Sequence, residues 1–326
     1  MAKLTMVQAL NLAMAQEMAE DERVIILGED VGLDGGVFRV TEGLIEKFGP
    51  QRVVDTPLAE SGIVGMSVGM ALYGLRPVCE IQFSGFSYEG FHQIESHASR
   101  LRWRSRGRFQ VPMVLRTPYG GGVRALEHHS ESREVFYAHM PGLKMVIPSG
   151  PRLARALLVS AIRDPDPVIF YEPKALYRAF REEVPQAVET FPLGQSRVAR
   201  EGRDVTLIAY GAMLRPVLKA ARQLADEEGI QAEVIDVLTL APLDDQLFTQ
   251  SVRKTGRAVV VHEAPLSYGP GAEIVSRIME KSFFYLEAPI ARVTGFDITV
   301  PLFSREAHYF PDVRRIMVET RNVLDA

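Results

Sequence analysis

Three features that would indicate a particular class of protein are scarce or absent in this sequence: cysteines, long apolar runs and a strong net charge. The chain has one cysteine, Cys79, among 326 residues, which excludes an intrachain disulfide and a metal site built from several cysteines of this chain. No run of about 18 uncharged apolar residues occurs, so no segment is predicted to span a membrane. The net charge is −4, and the only basic run, residues 100–108, is more typical of a solvated surface or a subunit contact than of a phosphate track. We therefore expect a cytoplasmic protein with no membrane or nucleic-acid partner.

Common catalytic and nucleotide-binding motifs are missing as well. The one GxSxG match, GMSVG at residues 65–69, lies inside a segment with a helical pattern and not at the turn between a strand and a helix, which disfavours a serine hydrolase. No HExxH segment occurs, which disfavours a zinc protease. Its glycine-rich segment GEDVGLDGG, residues 28–36, is neither GxGxxG nor GxxxxGK[ST]. Two acids in that segment, Glu29 and Asp30, would repel a phosphate. We interpret it as the exit loop of a strand, in which Glu29 has either a site role or none.

Short β-branched runs alternate with helical patterns over most of the chain. The alternation covers residues 23–173, fades over residues 174–203, which hold several charges, prolines and glycines, and restarts at residue 204. Such alternation predicts parallel sheets flanked by helices, and the length suggests two domains. We expect two doubly wound α/β domains, residues 1–185 and residues 186–326, joined by a linker.

Ligands of parallel α/β sheets bind beyond the carboxyl ends of the strands. One such segment is DTPLAESGIVG, in which Glu60 stands before an apolar, small-residue run. That acid is either a helix cap or a buried working group. Another is YGGGVRALEHHS, whose His128 and His129 are either a proton-transfer pair or ordinary surface imidazoles, since neighbouring histidines rarely bind one metal ion. Cys79 lies in an apolar strand and is expected to be a core residue. The residues alone do not name a reaction.

Blocks in chain order give the sequence a family resemblance. They resemble the β subunit of the thiamine-diphosphate-dependent decarboxylase component of 2-oxo acid dehydrogenase complexes. The resemblance implies a transketolase-like pyrimidine-binding domain followed by a transketolase C-terminal-like domain. YEPKALYR, HEAP and EAPIARVTGFD are more similar to the branched-chain 2-oxo acid enzymes than to pyruvate dehydrogenase. The blocks are GEDVG, GGVFRVTEGL, DTPLAESGIVG, EIQFSGF, YGGGV with HHSES, PGLKMVIPS, DPVIFYEPKALYR, AYGAM, KTGRAVVVHEAP and LEAPIARVTGFD.

The resemblance implies roles for five residues at the cofactor. Glu60 matches the family glutamate that meets N1′ of the aminopyrimidine of thiamine diphosphate. Phe86 is expected to pack on the pyrimidine ring, and Leu58 and Gln82 to line the same wall. Glu29 is expected in the hydrogen-bond network around the pyrimidine.

The resemblance also implies residues on the substrate side. Phe86 and Tyr88 are expected to face the 2-oxo acid. The histidine before the serine in HHS matches the family's catalytic histidine, so His129 is preferred over His128. Its implied role is proton transfer and holding the acyl or lipoyl group.

The metal and diphosphate ligands of the family are expected elsewhere. Thiamine-diphosphate enzymes hold diphosphate and Mg²⁺ with a GDG segment followed by an asparagine, and no GDG occurs here. The resemblance therefore implies that an α subunit supplies Mg²⁺ and the diphosphate half of the site. It also implies an α2β2 heterotetramer docked on a lipoyl acyltransferase core. A potassium ion is expected near Asp164 and Asp166.

Other functions stay open at this point. The substrate could be pyruvate or acetoin instead of a branched-chain 2-oxo acid. A split transketolase acting on a sugar phosphate would need a basic cluster, and Arg124 is the single candidate near the site. A nucleotide-binding electron-transfer subunit would need a phosphate-binding fingerprint that the sequence lacks.

Overall fold

Apolar strands and helices alternate along the whole chain in the computed structural model, which describes residues 1–326. The predicted α/β class is confirmed. The strands are β1 Ala2–Leu4, β2 Val24–Gly28, β3 Val53–Asp55, β4 Arg76–Glu80, β5 Val114–Tyr119, β6 Lys144–Val146, β7 Val168–Pro173, β8 Glu182–Val184, β9 Arg197–Arg200, β10 Val205–Ala209, β11 Ala232–Asp236, β12 Thr239–Ala241, β13 Ala258–Pro265 and β14 Ala291–Gly295. The helices are α1 Met6–Glu20, α2 Leu44–Phe48, α3 Glu60–Leu72, α4 Phe91–Gln93, α5 Leu101–Arg104, α6 Val135–Ala138, α7 Pro151–Arg163, α8 Leu214–Glu228, α9 Asp245–Thr255, α10 Pro270–Ser282, α11 Glu306–Tyr309 and α12 Val313–Leu324.

The chain forms two compact units. The first comprises residues 1–119 and 136–193, and the second comprises residues 120–135 and 194–326. These compact units do not coincide with the predicted domains, residues 1–185 and 186–326. The boundary between residues 185 and 186 therefore stays a prediction. The segment 120–135, which carries His129, belongs to the second unit.

In the main sheet of the first unit, the strands lie in the order β6-β7-β5-β4-β2-β3 and pair in parallel. Strands β1 and β8 form a separate antiparallel pair. Each residue of β2, β5 and β7 is buried, as expected for parallel strands covered on both faces. Helix α1 begins with a capping box, in which the side chains of Thr5 and Gln8 each accept from the other's backbone N–H. It packs against α7.

In the second unit the strands lie in the order β14-β13-β10-β11-β9. All pair in parallel except β9, which runs antiparallel to β11 at the edge. Strands β10 and β11 are wholly buried. Helix α12 begins after Asp312, whose side chain accepts from the N–H of Arg315.

Two local expectations were wrong. The pattern of residues 88–104 predicts one helix, but the structure has a 3₁₀ turn at Ser84–Tyr88, then α4, a π turn at Ile94–Ala98 and α5. A side chain on Gly90 would lie 2.9 Å from Val64 of α3, so close packing on α3 interrupts the pattern. The expected linker at residues 174–203 contains β8 and β9, which are charged edge strands and lack the apolar alternation of a central strand.

A buried ion cluster joins the three central strands of the first unit. Arg116 of β5 donates to Glu172 of β7 at 2.7 and 3.0 Å and to Glu80 of β4 at 2.6 Å. The Tyr177 hydroxyl donates to Glu172 at 2.6 Å, and the Arg116 side chain is 1% exposed. Burial by itself lowers the pKa of Arg116, but Glu172 and Glu80 outweigh it and raise that pKa. The guanidinium therefore stays charged between two carboxyl groups.

Replacing Arg116 by leucine should destabilise the chain strongly. The change leaves Glu80 and Glu172 buried without their cation, and breaking a buried ion pair from one side costs about 3–5 kcal/mol. Urea unfolding of the purified variant measures the loss. Arg277→Leu is the matched control, because Arg277 forms an exposed helical pair with Glu273 at 2.7 Å, worth about 0.5 kcal/mol or less. Equal losses in the two variants would contradict a structural role for the cluster.

Candidate active site

Three neighbouring strand ends of the first unit bring the predicted cofactor residues together. Strands β3, β2 and β4 are adjacent and parallel, so the segments after Gly28, Asp55 and Glu80 leave the same edge of the sheet. Those segments carry Glu29, Leu58, Glu60, Gln82 and Phe86. The strand-end argument thus selected segments that lie side by side.

Glu60 is the first residue of α3 and is 9% exposed. Its backbone carbonyl lies beside Gly90, where an added side chain would come within 3.3 Å of it. The carboxylate is placed at the positive end of a 13-residue helix, where a negative charge is favoured. The helix-cap role and a working role are therefore both compatible with its position.

Carboxylates converge at Glu29. Burial, followed by the negative charges of Asp30 and Glu60, raises the pKa of Glu29. Glu29 is half-buried. A raised pKa favours the protonated carboxyl group, which can donate a hydrogen bond as well as accept one. The acids therefore suit a ligand that offers both hydrogen-bond acceptors and donors.

The loop after β2 is fixed by polar contacts that the sequence did not reveal. Gln82 donates to Asp30 at 3.0 Å, and Asp55 accepts the N–H groups of Gly32 at 2.5 Å and Leu33 at 3.1 Å. Asp30 itself has φ 57°, a left-handed conformation that Asp tolerates better than most residues. In the sequence, the feature that could have indicated these contacts was the presence of acids at or directly after the ends of the strands.

Phe86 belongs to a chain of aromatic rings. Its ring centroid is 5.7 Å from that of Phe83, which is 5.5 Å from Phe38. Phe38 in turn lies 5.2 Å from Tyr177, the tyrosine of the buried ion cluster. The four rings form a continuous wall. One end of the wall lies at the loops that follow the strands, and the other end is Tyr177 of the ion cluster around Arg116. Phe38 and Phe83 were not predicted as part of it.

Leu58 and Tyr88 lie at the surface of this chain. Leu58 is 71% exposed and Tyr88 is 37% exposed. The Tyr88 ring lies 6.1 Å from that of Phe136. Their assignment to the cofactor wall and to the substrate stays a prediction.

The two histidines share one 3₁₀ turn of the second unit, Glu127–His129. Their ring centroids are 4.2 Å apart and both are half-buried. The N–H of His129 and the Ser130 hydroxyl both donate to the Leu126 carbonyl, at 3.0 and 3.1 Å. This bonding fixes the backbone of the turn for both rings, so the preference for His129 over His128 stays a prediction.

The predicted potassium ligands are already engaged by cations of the protein. Lys144 Nζ lies 2.7 and 2.6 Å from the two carboxylate oxygens of Asp164 and 3.7 Å from Asp166. Arg102 donates to Asp166 at 2.5 Å. Arg76 donates to the carbonyls of Ile162 at 2.8 Å and Asp164 at 3.3 Å. These residues do not fit a potassium ion, because an added cation would have to displace Lys144.

Two further expectations concern the whole chain. Cys79 is fully buried, and burial raises the pKa of its thiol to about 11, so it is a core residue as expected. No helix has the length and apolar character needed to cross a bilayer. Within the basic run, Arg100 pairs with Glu95 and Arg102 with Asp166, as is common on a solvated surface.

Family models match nearly the full length of the chain. Residues 2–179 match the transketolase pyrimidine-binding domain, and residues 194–316 match the transketolase C-terminal domain. Among solved structures, a split gene transketolase in an inactive beta4 tetramer superposes with a TM-score of 0.82 and 21% identity, with 99% of each chain covered. That likeness supports the fold.

Relatives of known name are similar over their whole length. The pyruvate dehydrogenase E1 component subunit beta of Acholeplasma laidlawii is 51% identical over 326 residues, covering 100% of this chain and 99% of the relative. The subunits of the same name from Bacillus subtilis and from Staphylococcus epidermidis are each 48% identical over 325 residues, with 100% of both chains covered.

The engagement of Asp164 and Asp166 by Lys144 predicts stability that does not depend on potassium. The melting temperature of the wild-type chain should be the same in KCl and NaCl at equal ionic strength. Lys144→Gln removes the ammonium and leaves two carboxylates with room for an ion, so its melting temperature should be higher in KCl. Arg152→Gln, which breaks an exposed pair with Glu189 at 2.7 Å, should show no such difference. Stabilisation of the wild type by potassium would contradict the assignment.

Proposed function

Because the chain belongs to the β-subunit family of the thiamine-diphosphate-dependent 2-oxo acid dehydrogenases, we propose that it is the β subunit of a pyruvate dehydrogenase E1 component. With an α subunit it would catalyse the oxidative decarboxylation of pyruvate and the reductive acylation of lipoyl groups. The observation that carries this proposal is the convergence of Glu29 and Glu60 at adjacent strand ends. This arrangement fits the aminopyrimidine half of the cofactor.

The choice of pyruvate departs from the first interpretation of the sequence. Three sequence blocks favour a branched-chain 2-oxo acid. The relatives at 47–51% identity over the full chain are named for pyruvate, and they support the alternative better. We therefore propose pyruvate as the substrate and keep the branched-chain acids as a comparison in the assay.

The chain's own residues would bind and polarise the cofactor from one side. When bound, thiamine diphosphate supplies the nucleophilic carbon and the electron sink for decarboxylation. Glu60, buried at the start of α3, would share a proton with N1′ of the pyrimidine. Glu29, whose pKa is raised, would hold a proton beside it. Phe86, packed on Phe83, would support the ring face, and Gln82 and Leu58 would line the wall.

The family resemblance also implies roles on the substrate side. Tyr88, together with Phe86, would face the 2-oxo acid, as the family resemblance implies. His129 would move a proton and hold the acyl or lipoyl group during transfer. The fixed backbone of the Glu127–His129 turn supports this role, since a proton-transfer group has to be held within hydrogen-bond reach of its partner.

The concentration of acids at these strand ends supports a partner subunit. Glu29, Asp30, Asp55 and Glu60 would repel a diphosphate, and the chain lacks the GDG segment that holds Mg²⁺ and diphosphate in thiamine-diphosphate enzymes. The Mg²⁺ and the diphosphate would therefore be held by an α subunit. The outer face of α3 supports the same conclusion, because Met66 is 45% exposed and Leu72 38% exposed on an apolar helix. A helix that is apolar on all sides is normally buried. We propose an α2β2 heterotetramer in the cytoplasm, docked on a lipoyl acyltransferase core.

Co-expression with an α subunit tests the proposed function. The purified complex should decarboxylate pyruvate with a kcat/KM at least about tenfold above that for 2-oxoisovalerate, since a site shaped for one alkyl side chain discriminates by about 10- to 200-fold per methylene. Acetoin and 2-oxoglutarate complete the series. The isolated chain should show no turnover and no micromolar binding of thiamine diphosphate by calorimetry. A preference for 2-oxoisovalerate would reverse the substrate assignment, and tight binding by the isolated chain would contradict the shared site.

Glu60→Gln distinguishes a working carboxylate from a helix cap. The amide keeps the shape and a hydrogen bond but cannot exchange a proton, so turnover of the assembled enzyme should fall by about 10² to 10⁴-fold. Deuterium exchange at the thiazolium carbon should slow in parallel, while cofactor affinity changes little. Glu273→Gln, at the first turn of α10, is the matched control and should keep normal turnover. A cap-only role for Glu60 predicts normal exchange and a stability loss of about 1 kcal/mol or less.

A further inference from the structure

Two buried acids meet the glycine run at the base of the histidine loop, residues 120–130 in the second unit. Glu263 of β13 is 3% exposed and Glu306 of α11 is 2% exposed. The Gly121 N–H donates to Glu263 Oε2 at 3.1 Å, and the Gly122 N–H donates to Glu306 Oε1. Two successive backbone groups of the loop are thus held by side chains that are distant in sequence.

Two of the three glycines, Gly120 and Gly121, are required by these same neighbours. Gly120 has φ +75°, and a side chain there would lie 2.7 Å from the Glu263 carboxylate. A side chain on Gly121 would meet the ring of Phe310 and would lie 2.7 Å from Glu306. Only a bare backbone can approach the two carboxylates this closely. The run YGGG therefore serves the anchoring of the loop.

The other end of the loop is closed back onto its start. The Gly120 N–H donates to the Glu131 carbonyl at 3.0 Å. Beyond it, the buried Glu134 accepts from the hydroxyl of Tyr210, which is 1% exposed. By contrast, Val123 and Leu126 between these anchors are 44% and 45% exposed. Hydrogen bonds therefore hold both ends of the loop, while its middle is exposed. The Glu127–His129 turn lies close in the chain to the bond at Glu131.

Buried carboxylates are a costly way to fill space, since a charge removed from water has to be compensated by hydrogen bonds. Apolar side chains could fill the volume beside the glycines, but they could not accept from the N–H groups of Gly121 and Gly122. The acids therefore fix the position of the loop backbone through directional hydrogen bonds.

We propose that Glu263 and Glu306 are positioning residues that fix the histidine loop, and with it His129, for transfer of the acyl group to the lipoyl acceptor. This inference rests on the proposed function, in which His129 serves that transfer. A displacement of about 1 Å in a catalytic group can cost about 10²-fold in rate. Loss of either acid should therefore impair the transfer step selectively.

The test compares two reactions of the assembled α2β2 enzyme. Decarboxylation of pyruvate is followed with an artificial dye acceptor, and acyl transfer is followed with a lipoylated domain. Glu263→Ala and Glu306→Ala should lower transfer by tenfold or more and dye-coupled decarboxylation by less than threefold. Glu263→Gln should recover most of the transfer, because its amide oxygen can still accept from Gly121. Glu228→Ala, which removes an exposed acid paired with Arg321 at 2.6 Å, should leave both reactions unchanged.

Amide hydrogen exchange gives a readout that does not depend on activity. Peptides covering residues 119–126 should exchange faster in both alanine variants, and peptides of β10 should not. Equal losses in both reactions, or unchanged exchange at the glycines, would overturn the proposal. If the wild-type complex itself lacks both reactions, the proposed function fails. If His129→Ala shows no selective loss of transfer while the exchange result holds, the loop is anchored by the acids but His129 does not have the assigned role.

Discussion

The first unit depends on one buried cation shared by three strands. Arg116 of β5 donates to Glu80 of β4 and to Glu172 of β7. Both glutamates lie within two residues of the C-terminal ends of their strands. Through Tyr177 the cluster contacts Phe38, and from there the ring contacts pass through Phe83 to Phe86. The ring chain that ends at Phe86 is thus connected to the buried ion cluster. A low-dielectric interior makes such a cluster strong when all members are paired and costly when one is lost.

Charge also explains why this chain would serve only half of a cofactor. Its strand-end loops gather acids, and acids suit a group with exchangeable protons while they repel phosphate. In the proposed heterotetramer, the α subunit would hold the phosphate half. The exposed apolar face of α3 and the exposed Leu58 are consistent with that division, because both need cover that this chain does not provide.

The sequence pattern located the candidate site better than it located the local contacts. Strand–helix alternation placed Glu29, Glu60 and Gln82 at strand ends, and adjacent parallel strands then bring them to one edge. The interruption of residues 88–104 could not be anticipated, because it arises where Gly90 meets α3. The engagement of Asp164 by Lys144 could not be anticipated either, and potassium at this place stays a prediction. Lys144 is 20 residues away in the chain, and only the fold brings its ammonium to the carboxylate.

By itself the sequence determined the α/β class, the small-residue run after Glu60, the lack of a diphosphate motif and the three glycines before the histidines. Each of these is a local property, readable from periodicity or from residue type. Only the tertiary structure decided that Glu263 and Glu306 hold the loop of Gly121 and Gly122, and that Arg116 lies between two carboxyl groups. Those contacts join residues 36 to 184 positions apart. Their partners are chosen by strand order and helix packing, which no local pattern encodes.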